Sequence, residues 1–425
     1  VEIVFRCPDA SEELDNHEIE FGQQQPMSQQ DLTIDREAAV SRLMRFLAVE
    51  GTTGQEAAIA AEVGRALVEA GVPTSAIRHD DANRRIPLPT QSGNLLVDLP
   101  GTRPGPRRMF MTHLDTVPLC AGAKPVRKDD RIVPAGPTAL GGDNRTGVAA
   151  LVTMAATLIQ RKLPHPPITL LFTVREESGL FGAKHLNLAD LLGPTMAFNV
   201  DGRLATEITI GAVGAERWEV EITGKAAHAG VHPEKGISAT MVASLAMADV
   251  FRSGWFGKIV KGSQQGTSNI GSVGDRDGRS AGQATNVVTD FVRITGESRS
   301  HDPEMATKIT TAYRDAFGKA AGEVRDDQGE SAKVKFESRL DYYPFRLADD
   351  APVVLQAKKA IERLGWAPTT KIGNGGLDAN WLVRHGIPTA TIGAGQNQIH
   401  TAEEWVDINE FERGCQAVLS MAVIE

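Results

Sequence analysis

The sequence predicts an α/β protein with a mostly parallel sheet, interrupted by a smaller α+β unit of the ferredoxin-like type. Three observations carry that expectation. Short apolar β-type runs alternate with helical stretches toward both ends of the chain, the order that a parallel sheet covered by helices requires. Between residues 212 and 341 the order changes to β-α-β-β-α-β. After Tyr342 the first pattern resumes, so the middle unit is inserted, not appended. At 425 residues the chain exceeds what one hydrophobic core organises, and the expected division is 27–211 with 342–425 as one domain and 212–341 as the other.

In chain order, 38–49 and 55–70 carry apolar residues at helical spacing, with Thr52 and Thr53 offering cap chemistry between them and Gly71 a stop. Strands are expected at 94–99, 108–112, 168–174, 195–200 and 389–392, and helices at 147–161 and 352–364. Within the inserted unit the expected strands are 218–223, 267–273, 286–295 and 333–338, with helices at 236–251 and 303–321.

Composition excludes several classes. Hydrophobic residues make up 41% and charged ones 23%, ordinary for a globular protein, and no stretch approaches the ~18 apolar residues of a membrane span. Residues 1–26 hold seven acids against Arg6, so they account for −6 of the net charge of −9. The remaining −3 argues against a nucleic-acid-binding surface. That first segment has no basic start followed by an apolar run, so it reads as a poorly ordered acidic terminus and not as a secretory signal. Cys7, Cys120 and Cys415 are an odd number at unrelated spacings, which predicts free thiols and a cytoplasmic protein.

Placing the ionisable residues on this map reveals a pattern. His113 and Asp115 follow one expected strand, Glu176 and Glu177 a second, Asp201 a third, and His400 the loop after a fourth. In open α/β sheets the carboxyl ends of strands deliver their loops to a shared crevice. Asp143, in Gly141-Gly142-Asp143-Asn144, stands at the amino end of an expected helix. Each piece alone is weak: a His-x-Asp pair is common on surface loops, and a helix start favours an acid for its dipole alone. Their joint placement points to a metal site. Two histidines with three carboxylates suit zinc, with cobalt or manganese as alternatives, whereas calcium and magnesium prefer oxygen donors and water. Asp143, Glu177 and Asp201 supply three negative charges against the four positive charges of two ions, leaving a balance that a hydroxide would meet.

At these residues the chain resembles the M20 family of metallopeptidases, and within it the peptidase T-like members. The matching stretches are Thr112-His113-Leu114-Asp115, Leu140-Gly141-Gly142-Asp143-Asn144, Arg175-Glu176-Glu177-Ser178-Gly179, Asn199-Val200-Asp201-Gly202, Gly224-Lys225-Ala226-Ala227-His228-Ala229-Gly230, Gly375-Gly376-Leu377-Asp378 and Ile399-His400-Thr401. The resemblance implies a zinc-exopeptidase fold with a lid at 212–341, and a two-ion site in which His113 and Asp201 hold one ion, Glu177 and His400 the other, and Asp143 bridges them. It further implies Glu176 as general base, Asp115 as the acceptor that fixes the His113 tautomer, and a cis peptide after Asp143. His228 resembles the lid histidine that stabilises the oxyanion, often from the partner of a homodimer. Arg299 and Asn286 resemble lid residues that bind a substrate's terminal carboxylate.

Two departures weaken the implication of strict tripeptide specificity: Asn374 stands where peptidase T has an arginine, and the motif after His228 is two residues longer. The expected activity is an aminopeptidase acting on short peptides. A hydrolase of N-acyl amino acids or other small amides is the alternative on the same site, and a non-catalytic binding protein of the same fold the alternative of another class.

Overall fold

The computed structural model describes residues 32–277, 281–282 and 284–425. The acidic segment 1–26 and Cys7 lie outside the described residues. Four parallel strands form the middle of a nine-stranded sheet. They are β1 (Arg108–His113), β2 (Ile168–Thr173), β3 (Met196–Val200) and β4 (Thr389–Ile392), in the spatial order β2-β1-β3-β4. Their residues are buried along nearly their whole length, because helices cover both faces. Antiparallel strands flank this centre: Leu95–Leu99 beside β2, and Glu207–Ala212 beside β4. The sheet is therefore mixed, and parallel pairing recurs outside the centre only where Thr369–Gly373 runs beside Glu207–Ala212.

Helix α1 (Gly142–Gln160) lies across the centre of the sheet and is buried over most of its length. Gly147 permits the approach: a β-carbon there would collide with the Thr112 side chain and the Val200 carbonyl. The helix begins five residues earlier than periodicity suggested, but its first turn is irregular: Asp143 and Asn144, joined by a cis peptide bond, carry non-helical angles. Asn144 anchors this irregular start, its amide Nδ2 donating to the Val200 carbonyl at 2.7 Å while its Oδ1 accepts the Gly147 N–H at 3.1 Å.

A second sheet of five strands covers residues 214 to 342, with two helices, Ala239–Arg252 and Pro303–Glu323, on it. Its own core centres on Trp218, packed on Tyr313 at a ring separation of 4.4 Å and stacked on Phe336. The expected β-α-β-β-α-β succession is present with one more strand, Gly257–Lys261, which pairs with Gln264–Gly274. A five-residue run beside a tight turn gives too little alternation to be read from sequence. Residues 286–288, expected to open a strand, instead bond to the loop at 227–229, and the strand itself is Phe291–Ser300.

The chain crosses between the sheets twice, and one side chain holds both crossings. Asn380, buried, donates to the Val213 carbonyl at 2.9 Å and the Tyr343 carbonyl at 2.7 Å, and its Oδ1 accepts the Leu377 N–H at 2.9 Å. Replacing it leaves three backbone groups without this partner, the Val213 carbonyl among them buried. Asn380→Leu is expected to cost about 2–4 kcal/mol, measured as a lower urea midpoint.

Candidate active site

The carboxyl ends of β1 to β4 open into a cleft of about 850 Å³ lined by His113, Asp143, Glu176, Glu177, Asp201 and His400. Asp143 is its centre. One carboxylate oxygen lies 3.1 Å from His113 Nε2 and the other 3.2 Å from His400 Nε2. Asp201 stands on the His113 side at 3.9 Å, and Glu177 on the His400 side at 2.9 Å. Donor atoms of His113, Asp143 and Asp201 fall within 4.8 Å of one another, as do those of Asp143, Glu177 and His400. Two three-residue donor sets thus share one carboxylate.

The surrounding loops are held by buried hydrogen bonds. Asp115 faces His113 as expected, with His113 Nδ1 3.0 Å from its main-chain carbonyl and 3.5 Å from its carboxylate. The carboxylate also accepts the N–H groups of Glu176 and Glu177, at 3.0 and 3.1 Å, which ties the loop after β1 to the loop after β2. Arg175 and His400 both take the left-handed backbone region, with φ of 54° and 63°. Such a residue costs about 1–2 kcal/mol and persists only where its surroundings enforce it. At Arg175 they do: its N–H donates to Glu56 and its guanidinium to Thr90 at 2.7 Å, Ser178 at 3.2 Å and the Pro89 carbonyl.

Several residues that the sequence reading missed complete the site. Glu404, buried, accepts the N–H groups of Leu140 and Gly141 at 2.8 Å and of Asp143 at 3.0 Å, so it cradles the turn that presents the shared carboxylate. Asp378, also buried, accepts from Thr173 at the end of β2, and its second oxygen has no partner among the described residues. The second sheet contributes Arg217 and Tyr342, beside the expected Arg299, to the opposite wall. Gly376 must be glycine, since any β-carbon would press into the Tyr342 ring.

His228 and Asn286 are not brought to this cleft. Both are exposed, at the far end of the second sheet, where the Ala229 N–H donates to the Asn286 carbonyl at 2.9 Å. Strand pairing sets Arg299 opposite Ala215 and Phe291 opposite Thr223. At about 3.3 Å per residue, the length from Ala215 to Thr223 separates Arg299 from the His228 end by roughly 26 Å. Of the three lid residues singled out in the sequence, only Arg299 lines the cleft of its own chain.

The electrostatics follow from crowding acids in a buried space. Burial first, then Asp143, pushes the Glu177 carboxyl up to about 7, and the same causes push Asp201 up to about 6. Glu176 is raised well above the carboxylate range by burial, opposed by His113 and reinforced by Glu177, Asp201 and Asp378. His400 is raised to about 10 by its bonds to Asp143 and Glu177. In the metal-free protein, protonated histidines therefore offset part of the negative charge. The sign is the same for both kinds of group. The raised carboxylates contribute stability that is lost as pH rises from about 4 to 7, and His400 contributes stability that is lost between its unfolded value and about 10. Chelator-treated protein is expected to melt lower at pH ~8 than at pH ~5, while added zinc raises the melting temperature more at pH ~8, because ligands must be deprotonated to bind. Calorimetry at the two pH values reads both.

The donor chemistry fits divalent ions with mixed nitrogen and oxygen preference, since each three-residue set combines one imidazole with two carboxylates. A mixed α/β fold with a histidine–carboxylate cluster at the parallel strand ends has the donors that a metal-dependent hydrolase requires. Residues 109–423 match the profile of peptidase family M20/M25/M40, and the chain belongs to that family. It is 33% identical to the Bacillus subtilis protein YqjE over 92% of this chain and 99% of that one. Among solved structures it is similar to an aminopeptidase PepT from Bacillus cereus, with 33% identity, a TM-score of 0.76, and coverage of 92% of this chain and 98% of that one. A tripeptidase from Staphylococcus aureus gives 28% identity, a TM-score of 0.80, and coverage of 92% and 99%. Among the described residues no helix is long and apolar enough to cross a membrane.

Proposed function

We propose that this chain is a dinuclear metal-dependent aminopeptidase that hydrolyses short peptides. The observation that carries the reading is Asp143, whose two oxygens each face one histidine and so join two donor sets. His113 and Asp201 hold one ion, Glu177 and His400 the other, and zinc suits these donors best, with cobalt or manganese able to substitute. Bound there, the ions would supply Lewis acidity to the scissile carbonyl and to the attacking water.

The remaining work falls to the chain's own groups. Glu176, buried beside the ligands, takes the proton from the attacking water and hands it to the leaving amine. Asp115 positions Glu176 and Glu177 together through their backbone N–H groups. Arg299 pairs with the substrate's terminal carboxylate from the wall formed by residues 212–341, which act as a lid. His228 and Asn286 serve the site of the other subunit in a homodimer joined through the lids, His228 stabilising the developing oxyanion, which accords with their distance from the cleft of their own chain.

The test is hydrolysis by zinc-loaded protein of matched di- and tripeptides with a free or acetylated amino terminus. Cleavage of the free-amine peptides and not the acetylated ones is expected. Preference for the acetylated series would instead indicate an N-acyl amino acid hydrolase. Glu404→Gln supplies an independent check: it sets an NH2 group against backbone donors beneath Asp143 and should weaken zinc binding about 10- to 100-fold in a calorimetric titration.

A further inference from the structure

The cleft carries more basic side chains than one terminal carboxylate requires. Four cations line it: Arg203, Arg217, Arg299 and Lys371. Three are tied to acids of their own chain. Arg217 Nε donates to Asp341 at 2.6 Å, Arg299 pairs with Glu297 at 2.9 Å, and Lys371 pairs with Glu207. Arg203 has no acidic partner among the described residues, and its side chain stands exposed at the cleft.

The backbone beneath Arg203 is fixed. The N–H groups of Gly393, Ala394 and Gly395 donate to the carbonyls of Leu204, Gly202 and Arg203 at 3.0, 2.9 and 2.8 Å, and the Asp201 N–H donates to Ile392 at 2.9 Å. The segment that presents Asp201 to the metal site is thus stitched to the end of β4, and Arg203 projects from it two residues later. A cation on a rigid base close to the reacting centre loses little freedom when it pairs, which favours recognition by it.

From this we infer that Arg203 selects peptides bearing an acidic side chain. The inference rests on the peptidase reading above, in which Arg299, on the opposite wall, takes the terminal carboxylate. The preferred substrate class is then a short peptide with a second carboxylate, on an aspartate or glutamate side chain, paired with the Arg203 guanidinium.

The experiment compares kcat/KM for tripeptides that differ only by glutamate against glutamine at each of the three positions. Wild-type enzyme is expected to favour glutamate at one position by roughly fivefold at low ionic strength, the scale of a solvent-exposed ion pair, and by less in about 0.5 M salt. Arg203→Gln should bring that ratio to about one, and Arg203→Glu should reverse it in favour of a lysine-containing peptide. A wild-type ratio at or below one at every position, or a ratio that survives Arg203→Gln, overturns the inference while leaving the peptidase reading intact. Failure to cleave any peptide, neutral ones included, overturns both.

Discussion

Glu176→Gln is expected to lower kcat by about 10²- to 10⁴-fold, the usual contribution of a positioned general base, while the protein still binds two zinc ions. The substitution keeps the shape of the side chain and removes its capacity to accept and return a proton. The environment supports that role. In the metal-free protein burial raises the carboxyl well above the ordinary carboxylate range, opposed by His113 and reinforced by Glu177, Asp201 and Asp378. Metal analysis and steady-state kinetics on one preparation decide the matter: a variant with full metal content and the wild-type rate would remove Glu176 from the mechanism.

The second large effect falls on Asp143. If its carboxylate serves both ions, Asp143→Ala removes a donor from each set at once and leaves His113 and His400 facing each other without the group between them. Loss of ions that contribute several kcal/mol to the transition state corresponds to at least about 10³ in rate. Zinc should no longer raise the melting temperature of this variant. Asp143→Asn, which preserves packing under the Glu404 cradle, separates the loss of the ligand from any loss of fold. An Asp143 variant that retained two zinc ions would show that the two donor sets do not depend on one shared carboxylate. Single losses at Asp201 or Glu177 are expected to be graded, since each set then keeps two of its three donors.

Much of the architecture was legible because it is written in local periodicity. The apolar runs of β1, β2, β3 and β4 were located to within a residue or two, and the acidic and imidazole groups just beyond them marked a common edge. The segments that escaped are those with little local signal. Gln396–Asn397 and Trp405–Asp407 are strands of two and three residues, defined only by partners elsewhere in the chain, yet the loop they frame carries His400 and Glu404. The parallel centre was read correctly as parallel, but its antiparallel flanks depend on which strand finds which edge, and side-chain alternation does not encode that choice.

The amino-acid sequence by itself determined the donor types, their order and their attachment to strand ends, since these follow from residue identity and from patterns spanning a few positions. Only the tertiary structure decided how the donors group. Asp143 lies between two histidines that are 30 residues before it and 257 after it, and Glu404, 261 residues away, holds its turn. It also decided that Arg299 reaches the cleft of its own chain while His228 does not, because a ten-residue strand separates the two ends of the second sheet. Contacts between residues so distant in sequence are set by how the sheets and helices pack, and no short-range pattern records them.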